Sequence, residues 1–228
     1  MKFPSICFPF LFLIPISTLA EIDEKAERYL QLVRAKPENE ILLDRFFEAW
    51  IDSGTTKSLR KHLEEAAKVG SAGDWQILAS FHKELGQAAD ARPILDEALE
   101  KFPGNQKLRL ARAKLAVRLF DFETALADLE PFVKAKEPNS AVLKLQGICL
   151  SRSGRSDEAL AVWEKALKQE PDNEELREDF IEINLIEGLH DEAIKMASDL
   201  VQATEDPYKK AVRKLRLAGI AELAVCRT

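Results

Sequence analysis

The sequence predicts an all-α chain folded as a solenoid of stacked antiparallel helix pairs, and three observations carry that expectation. The first is a period. Ala91, Ala125, Ala159 and Ala193 stand 34 residues apart, and eight places after them come Leu99, Val133, Leu167 and Val201. The second is a set of small places. Twelve residues before those alanines stand Ala79, Ala113, Gly147 and Ile181, small in three of the four. A repeat of this length is a helix–turn–helix array, in which each unit buries its apolar face against its neighbours. The third is composition: 46% hydrophobic and 32% charged residues, with 9 Gly and 10 Pro in 228, read as soluble and strongly helical.

From the start of the chain, residues 1–20 read as a signal peptide. Lys2 and the terminal amine precede an apolar stretch, Phe8 to Ile16, and the small residues Thr18 and Ala20 suit cleavage before Glu21. A membrane anchor is the rival reading. Its run of roughly 18 apolar residues stands at the lower limit for a span, and Pro9 and Pro15 interrupt it. Cleavage implies export to a periplasm or the medium, a bacterial envelope being favoured, with no membrane span left in the mature chain. Cys149 falls at an apolar helical place and is expected to be a buried thiol. Cys226 lies two repeats away, beyond the roughly 7 Å between Cα atoms that a disulfide tolerates.

Residues 21–71 form a degenerate leading region. Lys25–Lys36, before Pro37, reads as a lone helix similar to the second helix of a pair. Asn39–Asp52 and Thr56–Lys68 read as a pair around Gly54, with Phe46, Phe47 and Trp50 on the apolar face. Four units follow, 72–105, 106–139, 140–173 and 174–207. In the third, Leu143, Gly147 and Leu150 line one helix and Ala159, Trp163 and Ala166 the next, at the spacing of amphipathic helices. Gly154 supplies the permissive backbone of the turn between them, as Gly86 and Gly188 do in their units. Asp157 sits in a first turn, where a carboxylate is favoured. Pro103, Pro138, Pro171 and Pro207 are read as stops for the second helices, because proline cannot continue the hydrogen-bond ladder.

Two units depart from the pattern. The second has Arg109 and Arg112 at apolar places and Phe120 in place of the turn glycine; the fourth has Ile181 at the small place and no aromatic. First-helix packing is expected to differ there. Residues 208–228 read as one more helix, Tyr208–Val225, carrying Lys209, Lys210, Arg213, Lys214 and Arg216. Two readings stand: a cap whose basic residues form the polar outer face that solenoid ends need, or the start of a further repeat.

These places resemble the tetratricopeptide repeat (TPR) family, whose pattern is Trp-x2-Leu-Gly-x2-Tyr, then Ala-x3-Phe, then Ala and Pro. The first unit reads Trp75-x2-Leu78-Ala79-x2-His82, then Ala91-x3-Leu95, Ala98 and Pro103. The third supplies Gly147, Ala159, Trp163, Ala166 and Pro171. The resemblance covers 72–207 and extends more loosely over 25–71. It makes Trp75, Ala79, Ala91, Ala98, Ala113, Ala125, Gly147, Ala159, Trp163, Ala166 and Ala193 packing residues, the small ones letting two helices approach closely. It implies a right-handed superhelix whose first helices line a concave face that receives an extended or helical peptide. Carried over place by place, that face holds a basic patch, Lys107, Lys114, Arg118, Lys144 and Arg152, beside acidic Glu175, Glu178 and Glu182. The family's clamp for a C-terminal carboxylate pairs a Lys with an Asn. Its places here hold Gln76 and Ser80, Leu110 and Lys114, and Lys144 and Ile148, so tail capture by that clamp is not expected.

Signals of catalysis are nearly absent. His62, His82 and His190 are not spaced to share a metal, and the glycines mark turns rather than a phosphate loop. No cofactor is expected. His82 is read as a packed imidazole and His190 as an exposed turn residue, while Phe122, Phe132 and Phe180 are read as core. Net charge is −6, made of +1 over residues 1–20, −12 over 21–207 and +5 over 208–228. An acidic body lacks the clustered cations that nucleic acid requires, so nucleic acid is not an expected partner. The basic final helix leaves contact with a membrane surface open. The expectation is therefore a non-catalytic scaffold or adaptor of the cell envelope that binds a protein or peptide. The alternative is an accessory segment of a larger, enzymatic protein.

Overall fold

The computed structural model describes residues 24–225, so the signal reading and Cys226 lie outside the described residues. Twelve helices and no strands occur among them: α1 (Glu24–Ala35), α2 (Glu40–Ser53), α3 (Thr56–Val69), α4 (Ala72–Glu84), α5 (Ala88–Lys101), α6 (Gln106–Arg118), α7 (Phe122–Val133), α8 (Ser140–Arg152), α9 (Ser156–Gln169), α10 (Glu174–Ile186), α11 (His190–Ala203) and α12 (Pro207–Val225). Helices α4–α5, α6–α7, α8–α9 and α10–α11 pair closely, and each pair packs on the next. None of these helices is long and apolar enough to cross a membrane.

Repeated local chemistry sets the helix ends. Asn105, Asn139 and Asn173, one repeat apart, cap α6, α8 and α10 by accepting from the N–H groups of Leu108 (3.0 Å), Ala141 (2.8 Å) and Leu176 (3.0 Å). Such a side chain satisfies an amide that the helix itself leaves orphaned. Between paired helices the turn closes identically four times. The N–H groups of Gln87, Asp121, Arg155 and Leu189 donate to the carbonyls of His82, Ala116, Leu150 and Asn184, at 2.8–2.9 Å. The residue before each donor is left-handed: Gly86 at φ +72°, Gly154 at +74°, Gly188 at +78°, and Phe120 at +59°. Pro207 differs from its expected role. Helix α11 ends at Ala203, and Pro207 is the first residue of α12, a position where its missing N–H costs nothing.

Phe120 holds a conformation that costs an L-residue about 1–2 kcal/mol, and it is 80% exposed, its ring edge-on to Phe122 at 6.2 Å. Phe120→Gly should raise the urea midpoint, because the relief exceeds the extra freedom glycine brings to the unfolded chain, about 0.5–1 kcal/mol. A lower midpoint would mean that the Phe120–Phe122 contact outweighs the backbone strain.

Across each pair, one small and one large residue share the space between helices. Ala79 shares a core cluster with Leu95, and Ala113 with Leu129. In the third unit, a Cβ built on Gly147 would stand 2.4 Å from Trp163 Nε1. The fourth unit reverses the sizes: Ile181 is the large member and Ala197 the small one, both buried in one cluster. The Ile181 departure is thus a volume exchange, which close-packed interiors tolerate well. Trp163 also stacks on Phe180 of α10 at 5.9 Å and 7°, and the α9 and α10 backbones stand further apart than α5 and α6 do. The leading pair departs more. Helices α2 and α3 approach less closely than the helices of the four later pairs, and Phe46 and Leu59 are fully buried in the core they share with α1 and α4. Helix α1 packs on α2 and α4, tied to α4 by Arg34 Nε donating to Asp74 at 2.7 Å.

Arg112 gives the second unit its first-helix packing. Its guanidinium donates twice to Asp128 (2.7 and 2.8 Å) and once to Asp96 (2.9 Å). Asp96 also accepts from Arg92, which reaches Asp121 at 2.8 Å. The network joins α5, α6 and α7, and Arg92 heads the causes that hold the Asp121 carboxyl down at about 2. Arg109 remains local, donating to the Pro103 carbonyl at 3.2 Å.

Candidate functional site

A concavity lies on the face lined by first helices. It encloses about 330 Å³ between α2, α4 and α6, with α5 beneath. Its floor is apolar: Leu43, Ala79, Ala91, Leu95, Leu110, Ala111 and Leu115. The small places that let α4 and α5 approach also keep this floor shallow, so the helical period that sets the packing shapes the groove. Residues one repeat apart face each other across it, Gln76 with Leu110 and Ser80 with Lys114.

Charges at the rim differ in how far neighbours have already engaged them. Lys83 Nζ meets Glu40 at 3.3 Å and Glu84 at 3.2 Å. Lys107 Nζ meets Glu38 at 3.2 Å. Lys114 and Arg118, one turn apart on α6, are exposed and make no ion pair among the described residues. Gln76 is only 6% exposed, and its amide, which makes no hydrogen bond among the described residues, keeps contact with solvent at the groove.

The structure brings Lys107, Lys114 and Arg118 to this groove and leaves the other candidates outside it. Lys144 is bound by Glu175 at 3.0 Å and by Asp179. Burial opposes its charge, but those two carboxylates outweigh it and hold its ammonium above the usual lysine range. Glu178 is engaged by Arg213 at 2.8 Å and Arg216 at 3.5 Å from α12. The expected basic and acidic patches are therefore not two open fields: ion pairs between consecutive units join them. Arg152 and Glu182 remain exposed on α8 and α10. Sequence reasoning did not single out Glu38, Glu40, Leu43 or Lys83, which enter from the degenerate leading pair and the end of α4. The 34-residue register already aligned Gln76 with Leu110 and Ser80 with Lys114, and could have found that wall.

Helix α12 turns Arg213 inward. Arg213, whose side chain is 12% exposed, donates to Glu174 (3.0 Å), Glu178 (2.8 Å) and Thr204 Oγ1 (2.6 Å). Lys209 also faces Glu174, at 3.9 Å. Tyr208, Val212, Leu215 and Leu223 are exposed along with Lys209, Lys214 and Arg216, so the exposed surface of α12 is mixed apolar and basic. Cys149 is buried, and desolvation pushes its thiol up to about 11. His82 is buried as expected, with burial first and Arg60 second among the causes that lower its pKa. His190 opens α11 and is half-buried rather than exposed in a turn.

Family models described as Tetratricopeptide repeat match residues 72–115, and 110–162 with 144–208. No curated protein matches the sequence. Among solved structures, a tetratricopeptide repeat protein from Parabacteroides merdae is 17% identical, with a TM-score of 0.61 over 87% of this chain and 79% of that one. YrrB, described as a TPR protein with an unusual peptide-binding site, is 17% identical, with a TM-score of 0.58 over 83% of this chain and 98% of its own. MamA from AMB-1 is 17% identical, with a TM-score of 0.57 over 79% of this chain and 96% of its own. At these identities the likeness is one of fold.

Proposed function

We propose that this chain, which belongs to the tetratricopeptide repeat family over residues 72–208, is a non-catalytic scaffold that binds a peptide segment of a partner protein in the groove between α2, α4 and α6. One observation carries the reading: an apolar floor of small and aliphatic side chains, walled by charges and formed by three consecutive first helices. The groove is built of helices locked by capping and core packing, so binding orders little of the receptor. On the pattern of residues 1–20, the scaffold works after export, in the cell envelope.

A photo-crosslinking amino acid at Ser80 should capture partner peptide when the protein is expressed in its native cell. The same probe at Lys165, exposed on the second helix α9, should not. The captured protein should begin at Glu21. Equal capture at both positions would remove the groove from the reading, and an intact Met1 would remove export.

A further inference from the structure

We infer that the groove recognises an extended acidic segment, with Gln76 holding its main chain and Lys114 and Arg118 its carboxylates. The inference rests on the reading of the groove as a peptide site and adds the chemistry of the occupant.

The first observation is Gln76. The side chain is nine-tenths buried in the wall of α4, lines the groove, and has no hydrogen-bond partner among the described residues. A carboxamide offers one acceptor oxygen and two donor hydrogens. That complements a peptide unit, which presents one N–H and one C=O. An extended backbone leaves those groups unpaired, whereas a helix has used them internally. The amide of Gln76 reaches solvent at the groove, so a bound main chain can take the place of water on it.

The second observation is independent and concerns charge. Of the four rim cations, Lys83 and Lys107 are already engaged by Glu40, Glu84 and Glu38. Lys114 and Arg118 are not, and their i, i+4 spacing places both on one face of α6. The chain carries −6 overall, so this unpaired positive pair is a local reversal of the protein's field. An acidic segment would be repelled by most of the surface and drawn to this site, which favours correct encounter over binding elsewhere. A basic segment would meet the opposite arrangement. The aliphatic floor between Gln76 and α6 accepts small or aliphatic side chains that alternate with the acidic ones along an extended chain.

Fluorescence anisotropy on the full chain tests this with three nine-residue peptides alternating Leu with Glu, Gln or Lys. The Glu peptide should bind at least about tenfold more tightly than the Gln peptide, and the Lys peptide least, with the preference shrinking as salt rises. The double reversal Lys114→Glu and Arg118→Glu should abolish the preference, and reversal of Lys165 and Lys168 should leave it intact. Gln76→Leu should weaken the Glu and Gln peptides by a similar factor, because it removes a main-chain contact shared by both. Thermal midpoints are measured on every variant. Equal binding of all three peptides, lost on Gln76→Leu, would overturn the charge assignment and leave the groove standing. Glu-peptide binding that survives the double reversal would overturn the location. Failure of all three peptides to bind would overturn this inference and the peptide reading together.

Discussion

Replacing Gly147 with alanine is expected to destabilise the protein by about 2–3 kcal/mol, toward the upper end of what overpacking a close-packed core costs. The added Cβ would stand 2.4 Å from Trp163 Nε1, 2.7 Å from Cδ1 and 3.0 Å from Cε2. Relief would require the indole to move, and it cannot move cheaply. Trp163 is fully buried and stacked on Phe180 of the next unit, so a shift pushes directly on α10. Damage should therefore pass from the third unit into the fourth, as nearest-neighbour coupling in a repeat array dictates. Chemical denaturation gives the size of the effect, and hydrogen exchange resolved along the chain gives its spread. Combining the substitution with Trp163→Leu, which restores the Ala and Leu pairing of the first two units, should recover much of the loss. A single variant with the wild-type midpoint would show that the two helices have room that the geometry denies.

The second large effect is expected at Arg112. Arg112→Met keeps most of the aliphatic bulk but leaves the Asp128 carboxylate, 5% exposed, without its bidentate partner. Removing one member of a buried pair costs about 3–5 kcal/mol. Arg112 retains 24% exposure and water can partly replace it, so about 2–3 kcal/mol is expected at neutral pH. Asp96 should be less affected, because Arg92 still holds it at 3.1 Å. The double variant Arg112→Met and Asp128→Leu should regain most of the stability, since replacing both members with apolar groups removes the desolvation penalty along with the pair. Equilibrium unfolding of the two variants decides the matter. If the single variant costs less than the double, Asp128 is not dependent on Arg112, and the network is a surface feature rather than a core one.

Both expectations arise at places that depart from the regular repeat, and both show how far local sequence can reach. The positions of α4–α11 were legible because they rest on short-range chemistry: a 34-residue apolar period, prolines beyond several helix ends, and glycines where the turn needs a left-handed residue. The asparagine caps at Asn105, Asn139 and Asn173 belong to the same class and could have been read from their spacing. The turn at Phe120 kept its form without glycine because the hydrogen bond from Asp121 to Ala116 and the packing of the flanking helices over-determine it. The sequence by itself therefore determined the fold class, the four repeat units and the places where small residues meet large ones.

Only the tertiary structure decided which charges remain available. Lys144 and Lys114 are the same type of residue, on first helices of neighbouring units and 30 residues apart, and nothing local distinguishes them. Lys144 meets Glu175 and Asp179 from the next unit, whereas Lys114 makes no ion pair among the described residues. Arg213 looked like the outer face of a cap and instead bonds to Glu174 and Glu178, more than 30 residues earlier. Arg112 looked like a flaw at an apolar place and became the link between three helices. Helix formation depends on residues three or four apart, which the sequence displays directly. Ion pairing depends on side chains that stacking brings within a few ångströms, and the choice of partner changes with each helix's crossing and each core residue's volume. The groove belongs to the second class, because its walls come from three helix pairs and its open charges are those their mutual neutralisation leaves unspent.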